Sequence, residues 1–185
     1  RDFDPEITLN KLKNKAASEK EVKILMVYYK MYRSIIYSDN NDMYFDFKDT
    51  LLKYGNLFSG LERLGLFICL TNSCVKKIDS GKESFSKECF NVYMLMLEQD
   101  LYSYYTGYFP MSAFSAILHT GLSSGEVRKV EIFISSYTPK LNPEHKKDAV
   151  NYSTAQICFH KKEYDKALEY IIKTDTDFSQ FKYLL

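Results

Sequence analysis

Apolar residues recur along this chain at helical rather than strand spacing, in segments separated by polar or glycine and proline positions. In segment 19–38, Leu25, Tyr28, Tyr29, Tyr32, Ile35 and Ile36 draw one stripe down a helix, which Ser38, Asp39 and Asn40 end. Asn41 is positioned to cap a helix over 42–54 with the stripe Met43, Phe47, Leu51 and Tyr54, stopped by Gly55 and Asn56. Ser59 and Glu62 form a capping-box pattern ahead of a helix over about 60–79, striped by Leu61, Leu64, Ile68, Thr71, Val75 and Ile78. Gly65 in mid-helix costs about 1 kcal/mol against alanine, which predicts that another helix approaches closely there. After Ser80 and Gly81, the segment 84–99 has Phe85, Cys89, Val92, Tyr93 and Met96 on one side and Phe90, Met94 and Leu97 on a second, so it should be buried on both.

The second half repeats the plan. Helices are predicted over 111–122 and 126–137, separated by Ser123, Ser124 and Gly125, and then over 144–161 and 163–173. Pro143 suits a first helical position, where its missing N–H costs nothing. Tyr164, Ala167, Leu168 and Ile171 form the expected inner face of 163–173. Asp177 and Phe178 begin a further apolar stripe of Phe178, Phe181, Leu184 and Leu185. Its phenylalanines are expected to pack inward and its leucines to form an apolar end. No segment has a convincing period-2 strand. The expected architecture is all-α: about eight helices in one domain over 1–185, paired as about 19–54, 60–99, 111–137 and 144–173, with 178–185 starting another. The chain is expected to be a fragment of a longer one.

Composition sharpens this reading. Of 185 residues, 7 are glycine and 4 proline, too few for many short strands joined by tight turns. Lys+Arg number 25 and Asp+Glu 24, a net charge of +1, which disfavours a nucleic-acid partner bound through a basic surface. No apolar run is long enough for a membrane span, so no membrane insertion is expected. Cys69, Cys74, Cys89 and Cys158 lie within helical apolar patterns without a C-x-x-C pair. They read as reduced core residues, which points to a reducing compartment and a cytoplasmic location. His119, His145 and His160 form no metal-binding pattern, and neither a phosphate-binding glycine loop nor a nucleophile elbow occurs. Accordingly no enzyme activity, cofactor or metal is expected.

Residues 151–171, NYSTAQICFHKKEYDKALEYI, place Ala155, Tyr164, Ala167 and Ile171 in the order small, aromatic, small, bulky. The small residues let two helices approach, and the large ones fill the space beside them. This segment resembles the tetratricopeptide repeat, a helix–turn–helix unit of about 34 residues. The preceding pair matches through Phe114, Ile117, Gly125, Val127, Val130, Ile134 and Tyr137, and departs at Leu118 and Gly121. Val130 and Ala167 correspond, a spacing of 37 residues. The pair 60–99 has the same plan but puts Lys76 and Lys77 where packing residues belong. The whole is also similar to uncharacterised tetratricopeptide-like proteins of Bacteroidetes-type bacteria with a comparable terminal segment.

The resemblance implies a right-handed solenoid of antiparallel helix pairs whose first helices line a concave surface. On that geometry Ser112, Ser115 and His119 from one unit, and Tyr152, Gln156, Phe159 and His160 from the next, line a partner-binding groove, with His119 and Gln156 at corresponding positions. Hydrogen-bonding tips above aromatic walls suit an extended or helical peptide. The aromatics Tyr102, Tyr104, Tyr105, Tyr108 and Phe109 either plug a crevice between helix pairs or form an exposed association patch. The expected function is a non-catalytic scaffold that binds a protein or peptide. The alternative is a regulatory or sensory domain of a larger protein that binds a ligand.

Overall fold

The computed structural model describes residues 6, 7, 10, 11, 14, 18–105 and 107–174. The predicted stripe at 178–185 lies outside them. Among the described residues the chain is all-helical, with eight α-helices: α1 (Glu19–Ile36), α2 (Asn41–Tyr54), α3 (Gly60–Asp79), α4 (Phe85–Glu98), α5 (Met111–Ser123), α6 (Val127–Tyr137), α7 (Pro143–His160) and α8 (Tyr164–Ile172). None is long and apolar enough to cross a membrane. The helix starts follow local chemistry. Ser18 Oγ accepts from the Glu21 amide at 3.2 Å. Ser59 and Glu62 make the reciprocal capping box, the Glu62 carboxylate accepting from the Ser59 amide at 3.0 Å. Asn142 caps α7 with Pro143 in the first turn. Asn40, one residue before the predicted Asn41, caps α2 by accepting from the Asp42 amide at 2.8 Å.

Contacts divide the chain into two compact units. The first comprises Arg1–Phe85 with Leu95–Leu101, and the second Ser86–Met94 with Tyr102–Leu185, so residues of α4 belong to both. In the first unit α1 packs on α2, and both touch α3. Its core is Val27, Tyr44, Phe47, Leu51, Leu64, Phe67, Leu70 and Cys74. Two predicted stripes are displaced from the buried face. In α1 the buried residues are Val27 and Ser34, while Tyr28, Ile35 and Ile36 are exposed. Ser34 is tolerated inside because its hydroxyl donates to the Met31 carbonyl at 2.7 Å. In α3 the buried line runs through Leu64, Phe67, Leu70, Thr71, Cys74 and Lys77, and Leu61 is exposed.

Lys77 does occupy a packing position. Only 2% exposed, it donates to the Ser38 carbonyl at 2.6 Å and to Asn41 Oδ1 at 3.0 Å, with its ammonium over the Phe85 ring. Its long apolar stem fills the core while its head ties down the turn between α1 and α2. Burial pulls its ammonium below the ordinary lysine value.

In the second unit α5 packs on α6, α7 touches both, and α8 packs on α7. The α5–α6 and α7–α8 turns have the same backbone pattern. The Glu126 amide donates to the Gly121 carbonyl and the Glu163 amide to the Cys158 carbonyl, each at 2.9 Å. Gly125 and Lys162, at corresponding positions, both have positive φ, +76° and +63°. The 37-residue spacing is therefore carried by the backbone as well as by side-chain type. In the first unit, the turn after α3 repeats the pattern, with Lys82 donating to the Lys77 carbonyl and Gly81 at φ +88°.

The close helix approach predicted at Gly65 is absent, since a Cβ there would meet nothing within 4 Å. It occurs at Gly121, where a Cβ would overlap the Val130 side chain and come within 2.7 Å of Phe90 Cε2. The apparent departure of Gly121 from the repeat pattern is thus a packing requirement. None of the four cysteines forms a disulfide, and Cys74, Cys89 and Cys158 are buried.

Candidate functional site

Helix α8 has nine residues, and only Ala167 among them is buried. The face predicted to pack inward is open: Tyr164 is 57% and Leu168 59% exposed, and Ile171 is exposed as well. These three lie on one side of the helix, at successive spacings of four and three residues. Beside them α7 contributes Ala155, Gln156 and Phe159. Together with Ala167 they line a groove of about 370 Å³. The small residues Ala155 and Ala167 form its floor, because only short side chains allow α7 and α8 to pack closely. Phe159 and Tyr164 meet edge to face at 5.6 Å across one end.

The groove is apolar, with the Gln156 amide and the Tyr164 hydroxyl as its hydrogen-bonding side-chain groups. Charged residues on and beside α8 pair with each other. Lys166 donates to Glu163 at 2.8 Å and Lys173 to Glu169 at 2.7 Å. These hydrogen bonds hold both carboxyls below their ordinary value and both ammonium groups above theirs. None of the groove-lining side chains is charged, an arrangement suited to apolar side chains.

The residues assigned to a common groove from sequence separate into distinct settings. Gln156 and Phe159 line the α7–α8 groove. Tyr152 turns to His119: its hydroxyl lies 2.9 Å from His119 Nε2, and the imidazole tautomer sets which group donates. Burial raises the Tyr152 hydroxyl above its ordinary value. This pair links α7 to α5. Ser115 is in the core, 5% exposed, because α5 is enclosed on most sides. Ser112 and His160 are exposed, and the His160 ring lies 6.4 Å from that of Phe159. His119 and Gln156 thus correspond in the repeat but face different surroundings.

The aromatic segment divides in two. Phe109 is buried against Tyr137 at 4.8 Å and Phe133 at 6.1 Å, and Tyr102 packs on Phe109 at 4.8 Å. Burial drives the Tyr102 hydroxyl far above the ordinary tyrosine value. Tyr104, Tyr105 and Tyr108 are exposed. Two of these aromatics thus pack on α6 or its neighbours, and three face outward.

Among the described residues, no group of three or more histidine, cysteine, aspartate or glutamate side chains could hold a metal ion. The groove-lining role of Tyr164, Leu168 and Ile171 was missed from sequence because a covered and an uncovered apolar stripe have the same spacing. No family model, curated protein or solved structure matches the chain.

Proposed function

We propose that this chain is a non-catalytic interaction module, a tetratricopeptide-like solenoid of antiparallel helix pairs that binds a protein or peptide partner through the α7–α8 groove. The observation that carries the reading is the uncovered apolar wall of Phe159, Tyr164, Leu168 and Ile171 over an alanine floor. A wall of this kind suits apolar anchors spaced by three or four residues on an amphipathic helix, with Gln156 available to an exposed carbonyl or amide. The repeated turn and the 37-residue correspondence support the solenoid reading. Four cysteines without a disulfide favour a cytoplasmic setting.

A second reading, a regulatory domain that takes a small ligand, draws support from the groove volume, which falls at the low end of the usual ligand-pocket range of about 300–1,000 Å³. The experiment that tests the first reading is quantitative affinity capture with the full chain, its Leu168→Asp variant and its Tyr108→Ser variant. A partner retained by wild type and Tyr108→Ser but lost from Leu168→Asp supports the groove. Identical partner sets for all three proteins overturn it.

A further inference from the structure

The groove between α7 and α8 has a counterpart one repeat earlier, and there the occupant is part of the chain. Each residue that lines the groove corresponds, at the 37-residue spacing, to a position on α5 or α6. Those counterparts are covered. Leu122 is buried where Phe159 is exposed, and Val127, Glu131 and Ile134 are half-buried where Tyr164, Leu168 and Ile171 are exposed. Helix α7 touches both α5 and α6. Two polar contacts mark where it does so. The Tyr152 hydroxyl lies 2.9 Å from His119 Nε2, and Lys161, the C-cap residue of α7, donates to Glu131 at 2.6 Å. His119 is the counterpart of Gln156, and Glu131 that of Leu168. Ala149 stands three residues before Tyr152 and four before Ser153, so it neighbours both on the helix surface, and Ala149 and Ser153 are fully buried.

What α7 presents to the first groove defines what the second accepts. A side-chain amide both donates and accepts, so Gln156 can hold a phenolic hydroxyl in the place where His119 does. At the other contact the chemistry differs. Leu168 in place of Glu131 leaves an ammonium there without a counter-charge, and dehydrating it is unfavourable. An apolar side chain at that point instead buries area against Leu168. Tyr152 and Lys161 are nine residues apart, about 13 Å along a helix. We propose that the α7–α8 groove takes one helix of a partner protein, seated as α7 is on α5 and α6. That helix carries a small residue three positions before a tyrosine whose hydroxyl meets Gln156, and an apolar residue nine positions after the tyrosine, over Leu168. The proposal rests on the groove reading above and adds the sequence chemistry of the partner.

The probe is a synthetic peptide of residues 143–161, the α7 sequence itself. It is titrated into the full chain as wild type and as Leu168→Glu, which restores the glutamate of the first groove. Leu168 is exposed, so this variant should melt close to wild type. A peptide carrying Lys161→Leu should bind wild type about fivefold or more tightly than the unchanged peptide. On Leu168→Glu that order should reverse. Adding Tyr152→Phe to the Lys161→Leu peptide should weaken binding to wild type about fivefold, the loss of one hydrogen bond. On a Gln156→Ala chain the same change should have no effect. The same peptide order on both proteins, undiminished binding of the Tyr152→Phe peptide, or no binding of any peptide would overturn the proposal. The groove reading survives that failure if Leu168→Asp still loses a captured partner that Tyr108→Ser retains; identical partner sets for all three chains sink both.

Discussion

The hairpins α5–α6 and α7–α8 share a turn but not an environment. Both have the same six-residue hydrogen-bonded closure, and both put a small residue at the close helix contact. They place it on opposite sides. In the first hairpin Gly121 on α5 faces Val130 on α6. The corresponding residues in the second are Cys158 and Ala167, so the larger side chain moves to the first helix and the smaller to the second. The summed side-chain size at the two corresponding positions is similar in both hairpins, whereas the residue types differ. A pattern that scores each position alone counts Gly121 as a mismatch. Around the contacts the two differ again: α5 is buried on most sides, whereas α8 buries Ala167 alone.

The most severe way to break this comparison is Gly121→Cys, which puts into the first hairpin the residue found in the second. The space beside Gly121 is already taken by Val130 and Phe90, so a loss of about 3 kcal/mol is expected, at the upper end of overpacking costs. Adding Val130→Ala, the matching exchange on α6, should recover part of that loss in chemical denaturation. Strictly additive effects would show that the two positions do not trade volume. In the second hairpin, Ala167→Leu should cost about 1–2 kcal/mol, because Ala167 is buried between α7 and α8. An unchanged melting temperature would sink the correspondence of Ala167 with Val130.

A smaller effect is expected where the two hairpins meet. Tyr152→Phe removes the hydrogen bond to His119 and should cost about 1 kcal/mol. It should also change the alkaline response. Burial raises the folded-state value of Tyr152 above 10.0, so above that pH the unfolded chain loses this proton first. The unfolded state then binds fewer protons, and stability falls as pH rises. Wild type should therefore lose stability more steeply than Tyr152→Phe on moving upward from pH 10, as followed by denaturant midpoints; parallel curves would exclude this contribution. The smallest effect has the opposite sign. Gly65→Ala, with open space around the added methyl, should stabilise α3 by about 0.5–1 kcal/mol. A destabilised variant would restore a close helix approach at Gly65 and remove its contrast with Gly121.

Much of the local structure was legible in the chain. Ser59 with Glu62, Pro143, and the Gly81 and Gly125 stops mark helix ends because capping and positive φ act within a few residues. The 37-residue spacing was visible from Val130 and Ala167, and so was the buried row Phe85, Cys89, Val92, Tyr93 and Met96 of α4, whereas of its second row Phe90 is buried and Met94 and Leu97 are half-buried. The candidate groove was less legible. Gln156 and Phe159 were singled out and do line it, but Tyr152, Ser115 and His119 were grouped with them and lie elsewhere.

The sequence by itself determined which stretches are helices, where they stop and how the last hairpins repeat, since these depend on periodicity and on contacts between near neighbours. Only the tertiary structure decided that Ser34 and Lys77 are inside while Ile35 and Leu61 are outside, that Gly121 rather than Gly65 is the close approach, and that the apolar face of α8 lies open. Burial is a property of pairs of surfaces. An apolar stripe specifies that a helix has a face to cover, whereas the element that covers it comes from elsewhere in the chain or from another molecule, and helical spacing carries no record of which.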